Sequence, residues 1–196
     1  MDSPLPRTFY SRETVHVARS LLGMQLVRAI GRRQLVGRIV ETEAYRGADD
    51  PASHAARDMT RRNNVMFGPA GHAYVYFTYG MHFCFNIVAH KPTIPGAVLV
   101  RAIEPLEGLD YMSRRRGRSD PKDLASGPAK LTAAFAITGG LNGLDLTVPS
   151  QLYLREGSLQ AGERVASSRR IGIGPSDTRL WRFYVSSNPF VSRQRT

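Results

Sequence analysis

The stretch Gly71–Asn86, GHAYVYFTYGMHFCFN, holds three of the chain's eight tyrosines and three of its eight phenylalanines. Aromatic density of this kind predicts a strand pair, with Tyr74–Thr78 as the first strand, Tyr79-Gly80 as the turn and Met81–Val88 as the second strand. A two-residue turn ordinarily takes small or polar residues such as Asn-Gly. Here a tyrosine stands at the tip, with Met81 and His82 beside it, where it cannot readily enter the protein's own core. Two readings stand at this point: the tip engages a partner, or it folds back onto a neighbouring loop. Around this pair the chain is expected to build an α+β fold, mainly an antiparallel, curved, barrel-like sheet flanked by helices, with a protruding β-hairpin.

Upstream, Ser11 is placed to cap a helix with Val15, Ala18, Leu21 and Leu22 on one face and Gly23 as its stop. Gln25–Ile30 and Gln34–Tyr45 read as strands joined at Gly31-Arg32-Arg33. Simple alternation puts Ile39, Glu41, Glu43 and Tyr45 on one face of the second strand. Two carboxylates beside an aromatic are unusual on a core strand. The segment 46–70 is long and polar, as functional loops tend to be, with Asp50 expected to cap a short helical turn that begins at Pro51.

Downstream, Ala97–Ile103 reads as a strand whose Arg101 needs a partner if it is buried. Pro105–Arg116 is expected to be a helix with Leu106, Leu109 and Met112 inward, followed by an exposed loop over Gly117–Asp123. Ser126-Gly127-Pro128 opens a helix whose buried stripe is Leu131, Ala134, Phe135 and Ile137, ended by Gly139-Gly140. Gln151–Arg155, Arg169–Ile173 and Trp181–Val185 are expected as closing strands. No repeat or linker divides the 196 residues, so one domain is expected over 1–196, with 1–10 and 192–196 as loose tails.

Apolar content of 42% and charged content of 22% are those of an ordinary globular protein. Lysine plus arginine exceed the acidic residues by 27 to 16, a formal charge of +11 that favours a polyanionic partner, nucleic acid first. Arginine supplies most of this excess, and a GC-rich genome produces the same bias. Cys84 is the single cysteine, which excludes an internal disulfide and fits a reducing, cytoplasmic compartment. No apolar run is long enough to cross a bilayer, and no signal peptide is visible at the start.

The five histidines show no zinc spacing, and HExxH and CxxC are absent, so no structural or catalytic metal is expected. Cys84 sits in an apolar strand, where a thiol is inert, and no GxSxG elbow is present. Gly172-Ile173-Gly174 is too short for a phosphate-binding fingerprint. The helix start near Ser126, with Lys130 on its first turn, has the makings of a single phosphate contact. Glu41 and Glu43, two apart on a strand, lie about 6.5 Å apart at Cα on one face. Either they pair with arginines such as Arg38 or Arg101, or one of them activates a water at a glycosidic carbon. Tyr45 on the same face and His54 downstream suit a flat heteroaromatic ligand held beside that water.

The segments RIVETEAY (38–45), DPASHA (50–55), RRNNVMFGPAGHAYVYFTYGMHFCFN (61–86), RAIEPLEG (101–108) and SGPAKL (126–131) resemble, in order, the alkyladenine (3-methyladenine) DNA glycosylases. The resemblance runs from about Leu21 to the FYV…NPFVS tail. It implies excision of alkylated or deaminated purines from double-stranded DNA, without metal or cofactor, by a bacterial-type, nucleoid-associated enzyme expected to be monomeric. By position, Glu43 matches the general base and Arg101 a residue that helps hold the attacking water. Tyr45 and Tyr76 match the aromatics that stack on an extruded base, His54 the residue lining the pocket beside Tyr45, and Asn86 the filter against normal guanine. Tyr79 matches the wedge that fills the gap in the duplex. Met81, His82 and Lys130 are carried as further DNA contacts, although some relatives have another aromatic where this chain has His82. Extruding a base costs a few kcal/mol, and each stacked aromatic returns about 1–3 kcal/mol. A non-catalytic sensor of damaged or distorted DNA is the alternative. An O-glycosidase using Glu41 and Glu43 is disfavoured, because one strand face poorly supplies carboxylates to opposite sides of a sugar.

Overall fold

The computed structural model describes residues 3–192. Eight strands form one antiparallel sheet curled into a half-barrel, and a few short helices lie against it. Its path runs β3 (Ala73–Thr78), β4 (His82–Val88), β5 (Gly96–Glu107), β2 (Arg33–Arg46), β1 (Gln25–Ile30) and β6 (Leu152–Arg155), while β8 (Arg182–Val185) pairs with both β2 and β7 (Val165–Ser168). β2 is the hub. β5 pairs with it along most of its length, β1 along its first half, and β8 at Glu41–Glu43. Being covered on both sides, β2 is buried without a break from Leu35 to Ala44, so its fold is set by packing rather than by a polar–apolar alternation.

Register shifts between β2 and β5 at Val36/Gly37, Ile39/Glu41 and Glu41/Thr42 bend the pair. They also correct the expected single face. Ile39 and Val40 both enter the hydrophobic core, whereas Glu41 and Glu43 turn to arginines. Gly37 is required at the first shift, because a Cβ there would lie 2.1 Å from Ile103 Cγ2. Helix α2 (Thr14–Ser20) crosses β2 and is tied to it where Thr42 Oγ1 donates to the Ala18 carbonyl at 2.8 Å.

Several boundaries differ from expectation. Glu13, not Ser11, caps α2 by accepting from the His16 N–H. Residues 3–10 are not loose: α1 (Arg7–Tyr10) buries Tyr10, and Leu5 N–H donates to the Leu154 carbonyl at 2.7 Å. At the other end Ser192 is buried, and residues 1–2 and 193–196 of the expected tails lie outside the described residues. β5 runs on through Pro105 to Glu107, so α3 (Leu109–Arg116) starts later and buries Met112 while Leu106 is exposed. Pro105 is tolerated there because it sits opposite Gly37, at the shift in register.

Within the expected loop 117–123, Asp120 caps α4 (Pro121–Leu124). Helix α5 (Pro128–Ala134) buries Leu131 and Ala134, with Phe135 and Ile137 buried just beyond it, and ends before the glycine pair. Asp50 caps the turn that begins at Pro51, its Oδ1 accepting from the Ala52 N–H at 3.2 Å, and also forms a buried ion pair with Arg170, while the next short turn, His54–Ala56, is capped by Ser53. Arg169–Ile173 is not a strand, and β7 lies earlier, at Val165–Ser168.

Candidate active site

β3 and β4 pair with Thr78 opposite His82, leaving Tyr79, Gly80 and Met81 as the connection. Tyr79 takes a left-handed backbone (φ 52°) and is 87% exposed, and Met81 is exposed beside it. That conformation is costly for a tyrosine, and the side chain gains no burial from it.

Behind this tip lies a cavity of about 410 Å³ between β2, β3, β4, β5, the start of α5 and the segment 171–173. β2 contributes Tyr45, β3 Tyr74 and Tyr76, β4 His82, Cys84 and Asn86, and β5 Leu99 and Arg101. His54 and Arg62 close one side, and Tyr79 reaches the mouth. Alternation explains the set, since Tyr74 and Tyr76 project to the same side of β3, as do Cys84 and Asn86 on β4, with Tyr74 opposite Asn86 and Tyr76 opposite Cys84.

The aromatic walls are fixed. His54 and Tyr76 meet edge to face at 4.7 Å between ring centroids, and His54 Nδ1 lies 2.9 Å from the Tyr74 hydroxyl. Burial, with Arg62 nearby, lowers the His54 imidazole below its ordinary value, so it is neutral at neutral pH. Burial pushes the Tyr74 hydroxyl up to about 12 and raises that of Tyr76, so both stay protonated hydroxyls. Asn86 is buried and donates through Nδ2 to the Tyr74 carbonyl at 3.1 Å. Guanidinium groups sit on two of the tyrosine rings, Arg170 on Tyr45 at 4.7 Å and Arg62 on Tyr76 at 5.1 Å. Burial also raises the Cys84 thiol, which fits the inert thiol expected there.

Glu43 lies beneath this cavity and does not line it. It is fully buried, and both its oxygens are engaged. Oε2 accepts from the Tyr45 hydroxyl at 2.8 Å and Arg101 Nη1 at 3.1 Å, and Oε1 accepts from the Ile171 N–H at 2.7 Å. Burial and then the Glu43 charge hold the Tyr45 hydroxyl far above its ordinary range. Arg101 bridges the two glutamates, its Nε donating to Glu41 Oε1 at 2.9 Å. Burial works against its charge, but the Glu43 and Glu41 carboxylates outweigh that and raise it.

Glu41 is committed further, to Arg182 Nε at 2.7 Å, Ser192 Oγ at 2.8 Å and Ser192 N at 2.7 Å. Both carboxylate oxygens accept from protein donors, three bonds at Oε1 and one at Oε2, and Glu41 serves as a structural anchor. Arg38, the other candidate partner, is paired with Glu104 and Glu163 instead.

The structure therefore gathers Tyr45, His54, Tyr76, Tyr79, His82, Asn86 and Arg101 around one cavity, with Glu43 one bond behind Tyr45 and Arg101. Met81 and Lys130 lie off its lining, and Lys130 Nζ is held by Asp123 Oδ1 at 3.0 Å. Sequence reasoning missed Arg62, Tyr74, Ile171, Arg170 and Arg182. The signal for the segment 171–173 was its Gly-Ile-Gly run, since Gly172 adopts φ 77° and leaves the chain free of any ladder so that its neighbour can meet Glu43. Among the described residues no group of three or more His, Cys, Asp or Glu is arranged to hold a metal ion, and no helix is long and apolar enough to cross a membrane.

Residues 8–189 match the family model described as methylpurine-DNA glycosylase. The chain is 50% identical over 190 residues to a protein of Carboxydothermus hydrogenoformans, covering 97% of this chain and 99% of that one. It is 47% identical over 194 residues to one of Methanocella arvoryzae (97% and 96% covered) and 46% identical over 192 residues to one of Chlorobium phaeobacteroides (97% of each). All three carry the name "Putative 3-methyladenine DNA glycosylase". The chain belongs to the methylpurine-DNA glycosylase family, enzymes that hydrolyse N-glycosidic bonds in DNA.

Proposed function

From that membership we propose that the chain is a monofunctional glycosylase that extrudes alkylated or deaminated purines, of the 3-methyladenine and hypoxanthine class, from double-stranded DNA. A Glu43-activated water then hydrolyses the bond to the sugar. The observation that carries this is the cavity, flat-walled by Tyr45, Tyr76 and His54, with Arg101 in its lining and paired to the buried Glu43 immediately behind. A purine stacked there is excluded from water, and Asn86 at its edge disfavours the exocyclic amino group of guanine. Tyr79 fills the gap in the duplex, which accounts for its exposure and its strained backbone. Met81, His82 and Lys130 are assigned to contacts with the neighbouring DNA.

Glu43 has no face on the cavity in this arrangement, so the reaction requires the Tyr45 O–H to turn its proton off Oε2 as the base stacks, the ring staying in place, which frees that oxygen for one water. That water, held by Arg101, gives its proton to Glu43 and its oxygen to C1′. The C1′–N bond breaks, the purine leaves with the bonding electrons, and an abasic site remains. Among the described residues no lysine amine is hydrogen-bonded to Glu43, consistent with a water nucleophile and no strand nicking.

The test is release from a duplex carrying one hypoxanthine or one 3-methyladenine, read as alkali-labile sites, for the wild-type chain and Glu43→Gln. Wild-type protein is expected to produce abasic sites, and the variant to bind the lesion duplex without releasing the base. Absence of product from both duplexes refutes the enzyme and leaves a damage-sensing binder.

A further inference from the structure

We infer that Arg170 is a positioning residue of base release, holding the Tyr45 wall from behind and fixing the Ile171 N–H against Glu43. The inference deepens the function proposed above and rests on it.

The Arg170 side chain is fully buried, yet all of its nitrogens are used. Nη1 donates to the Ala44 carbonyl at 2.9 Å and Asp50 Oδ2 at 2.6 Å. Nη2 donates to Asp50 Oδ1 at 2.8 Å and Asp177 Oδ2 at 2.7 Å, and Nε to Asp177 Oδ2 at 3.2 Å. Its plane stacks on Tyr45 at 4.7 Å and lies 5.3 Å from the ring of Trp181. Asp50 in turn accepts from the N–H groups of Arg46 and Ala52. One guanidinium thus joins three pieces of chain: the end of β2 that bears Tyr45, the turn that leads to His54, and the segment 170–173.

Tyr45, Ala52, His54, Ile171, Gly172 and Ile173 all line the cavity, whereas Arg170 does not. It therefore acts through its neighbours and not on the base. The residue after it, Ile171, donates to Glu43 at 2.7 Å from a backbone that belongs to no strand. With no ladder to hold that N–H in place, the planar fork of Arg170 sets its direction. A lysine keeps the charge but cannot span both oxygens of Asp50, Asp177 and the Ala44 carbonyl from a single point. A purely space-filling role needs none of this geometry.

The experiment compares Arg170→Met, Arg170→Lys and, as a control in the separate Arg38–Glu104–Glu163 ion-pair network, Glu163→Gln. Full-length proteins release hypoxanthine under single-turnover conditions over a range of enzyme concentrations, well below every melting temperature. This separates the limiting rate from half-saturation. Arg170→Met is expected to lower the limiting rate on the order of 10–100-fold, the scale of a displaced reacting group, with half-saturation little changed. Arg170→Lys is expected to restore more of the stability than of the rate, and Glu163→Gln to lose stability while keeping its rate.

If Arg170→Met does not fold, Arg170→Lys and Asp177→Asn carry the test, each with a loss of rate out of proportion to its loss of stability. The inference is overturned if the folded Arg170 variants release base within about twofold of wild type, or if Glu163→Gln slows equally. Release by wild type with unaffected Arg170 variants overturns this inference alone. No release by wild type overturns the proposed function, and this with it.

Discussion

Catalytic carboxylates often strain a fold, and their removal often raises stability. Glu43→Gln is expected to do the opposite here. The glutamine amide must place its NH₂ at one of two positions, and each faces a donor. At the Oε1 position it meets the Ile171 N–H, now 2.7 Å from an acceptor. At the Oε2 position it meets Arg101 Nη1 at 3.1 Å, and the Tyr45 hydroxyl must turn round to accept. In either arrangement one donor is left unpaired in a fully buried place, at a cost of about 1–3 kcal/mol. Taking about 2 kcal/mol, and about 2–4 °C per kcal/mol for a chain of this size, the melting temperature falls by about 4–8 °C. Loss of the general base lowers release about 10²–10⁴-fold on the same preparation. Calorimetry or circular dichroism melts, paired with single-turnover release, measure both. An unchanged or raised melting temperature refutes the hydrogen-bond accounting, because Glu43 would then be a strained group awaiting a water. A lowered melting temperature with release intact makes Glu43 structural.

Glu41→Gln removes the charge from a carboxylate that takes four hydrogen bonds, two of them from arginines. It is expected to cost about 3 kcal/mol in urea unfolding, more than Glu43→Gln, with a smaller loss of release rate per folded molecule. Tyr79→Gly relieves a left-handed tyrosine worth about 1 kcal/mol but adds a similar unfolded-state entropy, so stability is expected to stay within about 0.5 kcal/mol. Binding assays on lesion and intact duplexes should then show the preference for the lesion lost. The Arg38 hydrogen bond holds the Glu163 carboxyl down from 4.5 to about 2. Because the folded value is depressed, this stabilisation is complete above the ordinary carboxylate range and lost as pH falls toward 2. The gap in melting temperature between wild type and Glu163→Gln, worth about 2 kcal/mol after solvent screening, is therefore expected to be constant near neutrality and to close in acid.

Local chemistry was enough to locate the strands that turn on themselves. Gln25–Ile30 and Gln34–Tyr45 lie within a residue of β1 and β2, and the aromatic stretch 71–86 became β3 and β4, because adjacent antiparallel strands and their turns are specified by neighbouring residues. The stripe Leu131, Ala134, Phe135 and Ile137 is buried as read, since helical periodicity is equally local. The sequence also displayed, through its resemblance to a known family, seven of the residues that surround the cavity, but not Arg62, Tyr74 or Ile171. Spacing alone could not separate Glu41 from Glu43. That took Ser192 and Arg182, some 140 to 150 positions away, which occupy Glu41 and leave Glu43 behind the cavity wall. Arg169–Ile173 has a strand's composition, yet Arg170 finds Asp50 across 120 positions and holds the segment out of any ladder. Composition and periodicity determine how a stretch pairs with its neighbours. A buried charge is satisfied wherever its counter-charge arrives, and only the folded sheet decides where that is.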